Sequence, residues 1–226
     1  MIRIYPKSHI EGTIEIPPSK SYAQRALAAS LLAKGISTLI NIGDSTDELA
    51  VLSILKISGA EIEKFGNITT INSEFIVDKP LTINCGESGL ATRLFTPIFA
   101  NYKSEVSILG TGTLKNRKMT EFQSIFEQLK VSFHTNNDYL PFLVKGPIQI
   151  PDIIYVDGSI SSQYITGLIC ILSSLEKQSS VIVQLKNPMS KPYISMTIDL
   201  LKKFGGSIEI NDNQIVIDKS CKLFPT

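Results

Sequence analysis

The sequence predicts an α/β (α+β) fold in which one βαβαββ unit recurs three times around a pseudo-threefold axis. Three observations predict it. Helix, strand, helix and hairpin signals recur in one order at a period of about 70 residues, which suits a repeated α/β subdomain better than a solenoid. The first helix of each repeat opens on small polar residues: Ser19-Lys20-Ser21, then Gly86-Glu87-Ser88-Gly89, then Gly158-Ser159-Ile160-Ser161-Ser162-Gln163. Each repeat closes on two short β-rich runs parted by Gly, Asn or Asp, the composition of a hairpin turn.

Residues 1–17 lie outside the repeats. Residues 13–16 read as a strand, and Pro17-Pro18 as a stiff connection leaving it, because proline disfavours helix and sheet interiors. An apolar, small-residue helix runs over 20–34 and stops at Gly35, followed by a strand over 37–41. Ser45 and Glu48 have capping-box spacing for an amphipathic helix carrying Leu49, Leu52 and Leu55, which ends at Gly59. Residues 61–64 and 69–71 then flank a turn at Gly66-Asn67. In the second repeat a helix begins near Ser88, a strand covers 106–109, and Thr120 with Gln123 caps a helix bearing Phe122, Ile125, Phe126 and Leu129. Its hairpin joins 131–134 to 142–144. The third has a helix from Ser161, a strand over 181–183, a helix over 192–204 ending at Gly205, and a hairpin turning at Asn211-Asp212-Asn213. The units span about 18–80, 81–150 and 151–226, with amphipathic helices expected on one face of a mixed sheet.

With 226 residues, 43% of them hydrophobic, the chain can bury a substantial core. A net charge of +1 gives no general attraction for nucleic acid or a membrane surface, so the expected partner is a small molecule. Cys85, Cys170 and Cys221 are odd in number and lack metal spacing, and His9 and His134 are far apart. Neither a disulfide framework nor a metal site is expected, and no cofactor. No apolar run has the length of a signal peptide or a membrane span, and the reading is a cytoplasmic protein.

Only four of the 22 basic side chains are arginines, and Arg25, Arg93 and Arg117 fall at matching places in the repeats. A guanidinium grips carboxylate or phosphate bidentately, which lysine cannot do. Helix starts add unpaired N–H groups and a partial positive charge, so each serine-rich start is a candidate anion cradle. One such start is an ordinary N-cap; three of them, with Lys20 and Arg25 beside the first, favour binding. Arg93, inside an apolar helix, suits a structural ion pair or a ligand contact equally. Arg117 suits a solvated charge or a ligand contact. Ser190-Lys191-Pro192-Tyr193 reads as a cap with proline in the first turn, and the Tyr193 ring could stack on a cyclic ligand. Glu87 at a helix start competes with an incoming anion.

The segment Pro18-Ser19-Lys20-Ser21 through Arg25-Ala26, the run 158–163 and Ser190-Lys191-Pro192-Tyr193 together resemble the EPSP synthases along essentially the whole chain. The likeness covers the first half of that family's usual length. It implies one domain of the inside-out α/β barrel of enolpyruvyl transferases. The activity implied is transfer of the enolpyruvyl group of phosphoenolpyruvate to shikimate 3-phosphate, through a tetrahedral intermediate that loses phosphate. By motif match, shikimate 3-phosphate would meet Lys20, Ser21, Arg25, Ser161, Ser162, Gln163, Ser190 and Tyr193, and phosphoenolpyruvate Lys20, Gly89, Arg117 and Gln163. The family's acid/base groups belong to a second, C-terminal domain, which the resemblance makes a partner of this chain and the home of residues 1–17. Within 86–94 the chain replaces the amide, the hydroxyl and the proline of the family's Gly-Asn-Ala-Gly-Thr-Ala-Met-Arg-Pro helix start, and Arg117 lacks the usual following proline. The competing readings are a relative of UDP-N-acetylglucosamine enolpyruvyl transferase and, from another class, a noncatalytic anion-binding module or a nucleic-acid-binding domain, the last disfavoured by the net charge of +1. Ser21, Arg25 and Ser161-Ser162-Gln163 favour the shikimate enzyme.

Overall fold

The computed structural model describes residues 3, 5, 9, 11–74 and 78–226. The first unit contains α1 (Lys20–Leu32), β1 (Ile36–Ile40), α2 (Thr46–Ile57), β2 (Glu61–Phe65) and β3 (Ile68–Asn72). The second runs β4 (Leu81–Asn84), α3 (Gly89–Phe99), β5 (Val106–Leu109), a 3-10 turn (Gly112–Asn116), α4 (Glu121–Gln128), β6 (Ser132–Asn136) and β7 (Tyr139–Lys145). The third runs β8 (Ile153–Asp157), α5 (Ser162–Ser174), β9 (Val181–Lys186), α6 (Lys191–Lys203), β10 (Ile208–Asn211) and β11 (Gln214–Ile217).

The repeat's first helices, α1, α3 and α5, are buried around most of their circumference, so they take the centre and touch one another. Small residues let them approach closely: a Cβ on Gly167 of α5 would collide with the Arg93 carbonyl of α3. Their N-termini carry the expected serine caps. Ser19 Oγ accepts from Tyr22 N, Ser88 Oγ from Ala91 N at 3.1 Å, and Ser161 Oγ from Gln163 N at 3.2 Å. A cluster of Phe122, Phe126, Phe133 and Phe142 supports Tyr164 of α5, whose ring meets Phe122 edge-on at 4.9 Å.

Each unit builds its own sheet, and the three are ordered β1-β3-β2, β4-β5-β7-β6 and β8-β9-β11-β10. Each hairpin returns beside its own unit's strand, so the backbone hydrogen bonds close within the unit. The opening strands β4 and β8 run parallel to β5 and β9. The first sheet lacks their counterpart. Residues 13–16 lie extended outside any sheet, with Ile14 84% and Ile16 77% exposed. A strand exists only through its ladder partners, and no described edge pairs with this one. Thr38 N of β1 instead donates to the Thr226 carbonyl at 2.6 Å.

Two capping boxes also differ. Ser45 Oγ donates to the Glu48 carboxylate without taking a backbone N–H, and Thr120 Oγ1 donates to Glu121 Oε1 at 3.2 Å. Helix α2 buries Glu48, Val51, Ile54 and Leu55, while Leu49 is 51% exposed, because tertiary contact with α1 and α3 selected a face rotated from the leucine row.

Candidate functional site: an anion cavity at the helix starts

The N-terminus of α5, the first turns of α1 and the loop before α6 enclose a cavity of about 250 Å³. It is lined by Ser21, Arg25, Ser161, Ser162, Gln163, Ser190 and Tyr193, with Leu90 and Ile160 supplying apolar wall. Residues separated by more than 160 positions thus converge as the repeat predicted. Lys20 does not line the cavity. Its Nζ lies 3.0 Å from Asp47 Oδ2 of α2, an ion pair whose lysine side chain is 54% exposed. An exposed pair of this kind is worth about 0–1 kcal/mol, so it leaves the ammonium free to exchange partners.

Arg25 is the dominant charge. It is 1% exposed, and no carboxylate pairs with it among the described residues. Nε donates to Thr197 Oγ1 at 2.8 Å, Nη1 to the Ser21 carbonyl at 2.7 Å and Nη2 to Thr166 Oγ1 at 3.4 Å. Five N–H donors are available, so two remain unspent. Desolvation pulls the guanidinium below its ordinary pKa. A buried cation held only by neutral oxygens is a strong attractor for an anion. The Tyr193 ring centroid lies 5.8 Å from its Cζ.

Ser190 was expected to cap α6. Its φ is +54° and its side chain makes no capping bond, which leaves the hydroxyl on the cavity wall in a left-handed backbone conformation unusual for serine. Ser161 both caps α5 and lines the cavity, and Ser162 is 4% exposed at the first turn.

A second cationic centre adjoins the first. A Cβ on Gly89 would sit 3.0 Å from Arg93 Nη1 and 3.4 Å from Arg117 Nη1, so the two guanidinium groups converge on the start of α3. Arg93 forms no ion pair among the described residues, which removes the structural reading of its charge. Its Nη1 donates to Gly89 O at 3.1 Å and Gln163 Oε1 at 3.2 Å. Glu87 does not compete for this space: its carboxylate accepts from Thr113 N at 3.1 Å and Thr113 Oγ1 at 3.2 Å.

Three supporting residues escaped sequence reasoning. Thr166 and Thr197 seat Arg25, and Gln24 Oε1 accepts from Ser88 Oγ at 2.9 Å, tying α1 to the start of α3. The one available signal was spacing, since Thr166 lies one helical turn beyond Ser162 and Thr197 one turn beyond Tyr193. Cys85 and Cys170 are buried, and desolvation pushes both thiols up to about 12, so they pack and do not attack. Among the described residues no group of three His, Cys, Asp or Glu could hold a metal, and no helix is long and apolar enough to cross a membrane.

A larger recess, about 830 Å³, lies where α1 and α5 end. Helix C-termini present carbonyls there, and Lys177 Nζ is already bound to the Leu172, Leu175 and Cys221 carbonyls. The smaller cavity carries the free donors.

A family model described as EPSP synthase (3-phosphoshikimate 1-carboxyvinyltransferase) matches residues 4–223. The chain belongs to the EPSP synthase family. A 3-phosphoshikimate 1-carboxyvinyltransferase of Clostridium novyi is 38% identical over 228 residues, covering 96% of this chain and 52% of the relative. One from Clostridioides difficile is 36% identical, covering 94% and 50%. The chain therefore spans about half the length of these curated relatives. An EPSP synthase structure from Acinetobacter baumannii superposes with a TM-score of 0.80 at 21% identity, over 95% of this chain and 48% of that one, a likeness of fold.

Proposed function

We propose that this chain is the shikimate 3-phosphate-binding half of an EPSP synthase. The observation that carries the reading is Arg25, buried without a counterion among the described residues in the wall of a cavity that also gathers four serines, Gln163 and Tyr193. In this reading Ser161, Ser162 and Ser190 take the phosphate, Ser21 and Arg25 the shikimate moiety, and Tyr193 the ring. Lys20 leaves Asp47 to reach both substrates. Gly89 and Arg117 hold phosphoenolpyruvate, with Gln163 between the two ligands.

In the reaction proposed, a shikimate hydroxyl gives up its proton as its oxygen bonds to C2 of phosphoenolpyruvate, while C3 takes a proton. The tetrahedral adduct then expels phosphate, and loss of a proton from C3 restores the double bond. This half orients the anions; proton transfer falls to a C-terminal domain facing it across a cleft, in the cytoplasm. Residues 1–17 belong to that other domain, a placement supported by the bare Ile14 and Ile16 side chains.

Calorimetric titration with shikimate 3-phosphate tests the site. Weak binding is expected, with turnover of the isolated chain lower by at least about 10²–10⁴-fold for want of acid/base groups. Absence of any binding, or phosphate release at a whole-enzyme rate with host enzyme excluded, refutes the reading.

A further inference from the structure

The close approach of α3 and α5 at Gly167 sets the Arg93 side chain beside the first turn of α5. The Arg93 guanidinium lies 4.8 Å from the Tyr164 ring centroid, and Tyr164 is 1% exposed, so its platform is fixed by the core. From there Nη1 donates at 3.2 Å to Gln163 Oε1 and at 3.1 Å to Gly89 O. A guanidinium has five N–H donors and no acceptor. Whichever end of the Gln163 amide faces it must therefore be the oxygen. The NH₂ end has no protein acceptor among the described residues, and Gln163 lines the cavity.

We propose that Arg93 is a positioning residue that locks the Gln163 amide in one orientation, with its NH₂ presented to the ligand cavity. A free glutamine offers a ligand either end. This one can only donate, so it selects an acceptor oxygen of a phosphate, carboxylate or ether and discriminates against a donor group in the same place. The proposal rests on the cavity being a substrate site, and the orientation can be measured without any ligand.

The test follows the Gln163 side-chain amide by NMR in the ¹⁵N-labelled chain. Wild type should show an ordered NH₂ pair. Arg93→Met should release it to free-glutamine dynamics and weaken shikimate 3-phosphate binding about five- to tenfold, the worth of one oriented donor, with the backbone spectrum otherwise kept. In Gln163→Glu the introduced carboxyl faces Arg93 and should titrate below the ordinary glutamate value of about 4.3. A Gln163 amide as ordered in Arg93→Met as in wild type overturns the proposal. So does an introduced carboxyl that titrates at the ordinary value, which decides the matter alone if Arg93→Met fails to fold. Failure of shikimate 3-phosphate to bind wild type would sink the proposed function while both NMR readouts still judge Arg93.

Discussion

Replacing Arg25 with methionine separates binding from folding. Arg25 is 1% exposed and its three hydrogen bonds all end on neutral oxygens. Burying an unpaired cation costs several kcal/mol, and hydrogen bonds from a charged donor return roughly 1.5–3 kcal/mol each, so the two terms largely cancel. Methionine keeps an unbranched stem without the charge. Nothing polar is orphaned: the Thr166 and Thr197 hydroxyls lie 3.1 Å apart, and Thr197 Oγ1 still donates to the Tyr193 carbonyl at 2.8 Å. Stability should therefore change by less than about 2 kcal/mol, with roughly 2–4 °C in Tm for each kcal/mol at this chain length. Shikimate 3-phosphate should lose about 2–5 kcal/mol, from roughly 30-fold to a few thousand-fold in Kd. Urea denaturation and calorimetry on the same preparation give both numbers. A stability loss above about 4 kcal/mol with unchanged affinity would show that Arg25 serves the fold and refute the anion-site argument.

Ser162→Ala should weaken shikimate 3-phosphate binding by about 1 kcal/mol, whereas Ser161→Ala should cost about 1 kcal/mol of stability in addition, because Ser161 also caps α5; paired denaturation and titration distinguish them. Burial opposes ionisation of Asp78, but the N–H groups of Lys103 and Ser104, each 2.9 Å from it, hold its carboxyl below the ordinary value. Its stabilisation is therefore present above the unfolded-state pKa and is lost as pH falls through the folded one, and Asp78→Asn should flatten that acid limb in a denaturation series. Cys85 and Cys170, with thiols near 12, should resist iodoacetamide at pH 8 in the native chain and react on unfolding, as followed by mass spectrometry.

What the sequence by itself determined is local. The serine starts of α1, α3 and α5, the helix-ending glycines and the hairpin turns are set by backbone groups within a few residues, so they are legible in one dimension, and their repetition locates the cavity. The scarcity of arginine likewise marks Arg25 by composition alone. Tertiary structure decided the rest. The parallel pairing of β4 with β5 and of β8 with β9, the rotation of α2 that leaves Leu49 bare, and the direction of Glu87 toward Thr113 all depend on partners distant in sequence or on competition between faces. The seating of Arg25 on Thr166 and Thr197, and the lock of Arg93 on Gln163, depend on helix approaches set by small residues and on hydrogen bonds across 141, 172 and 70 positions. Side-chain direction at a buried charge is chosen by whichever distant oxygen lies nearest once the helices have packed, and no pattern in the neighbouring sequence carries that information.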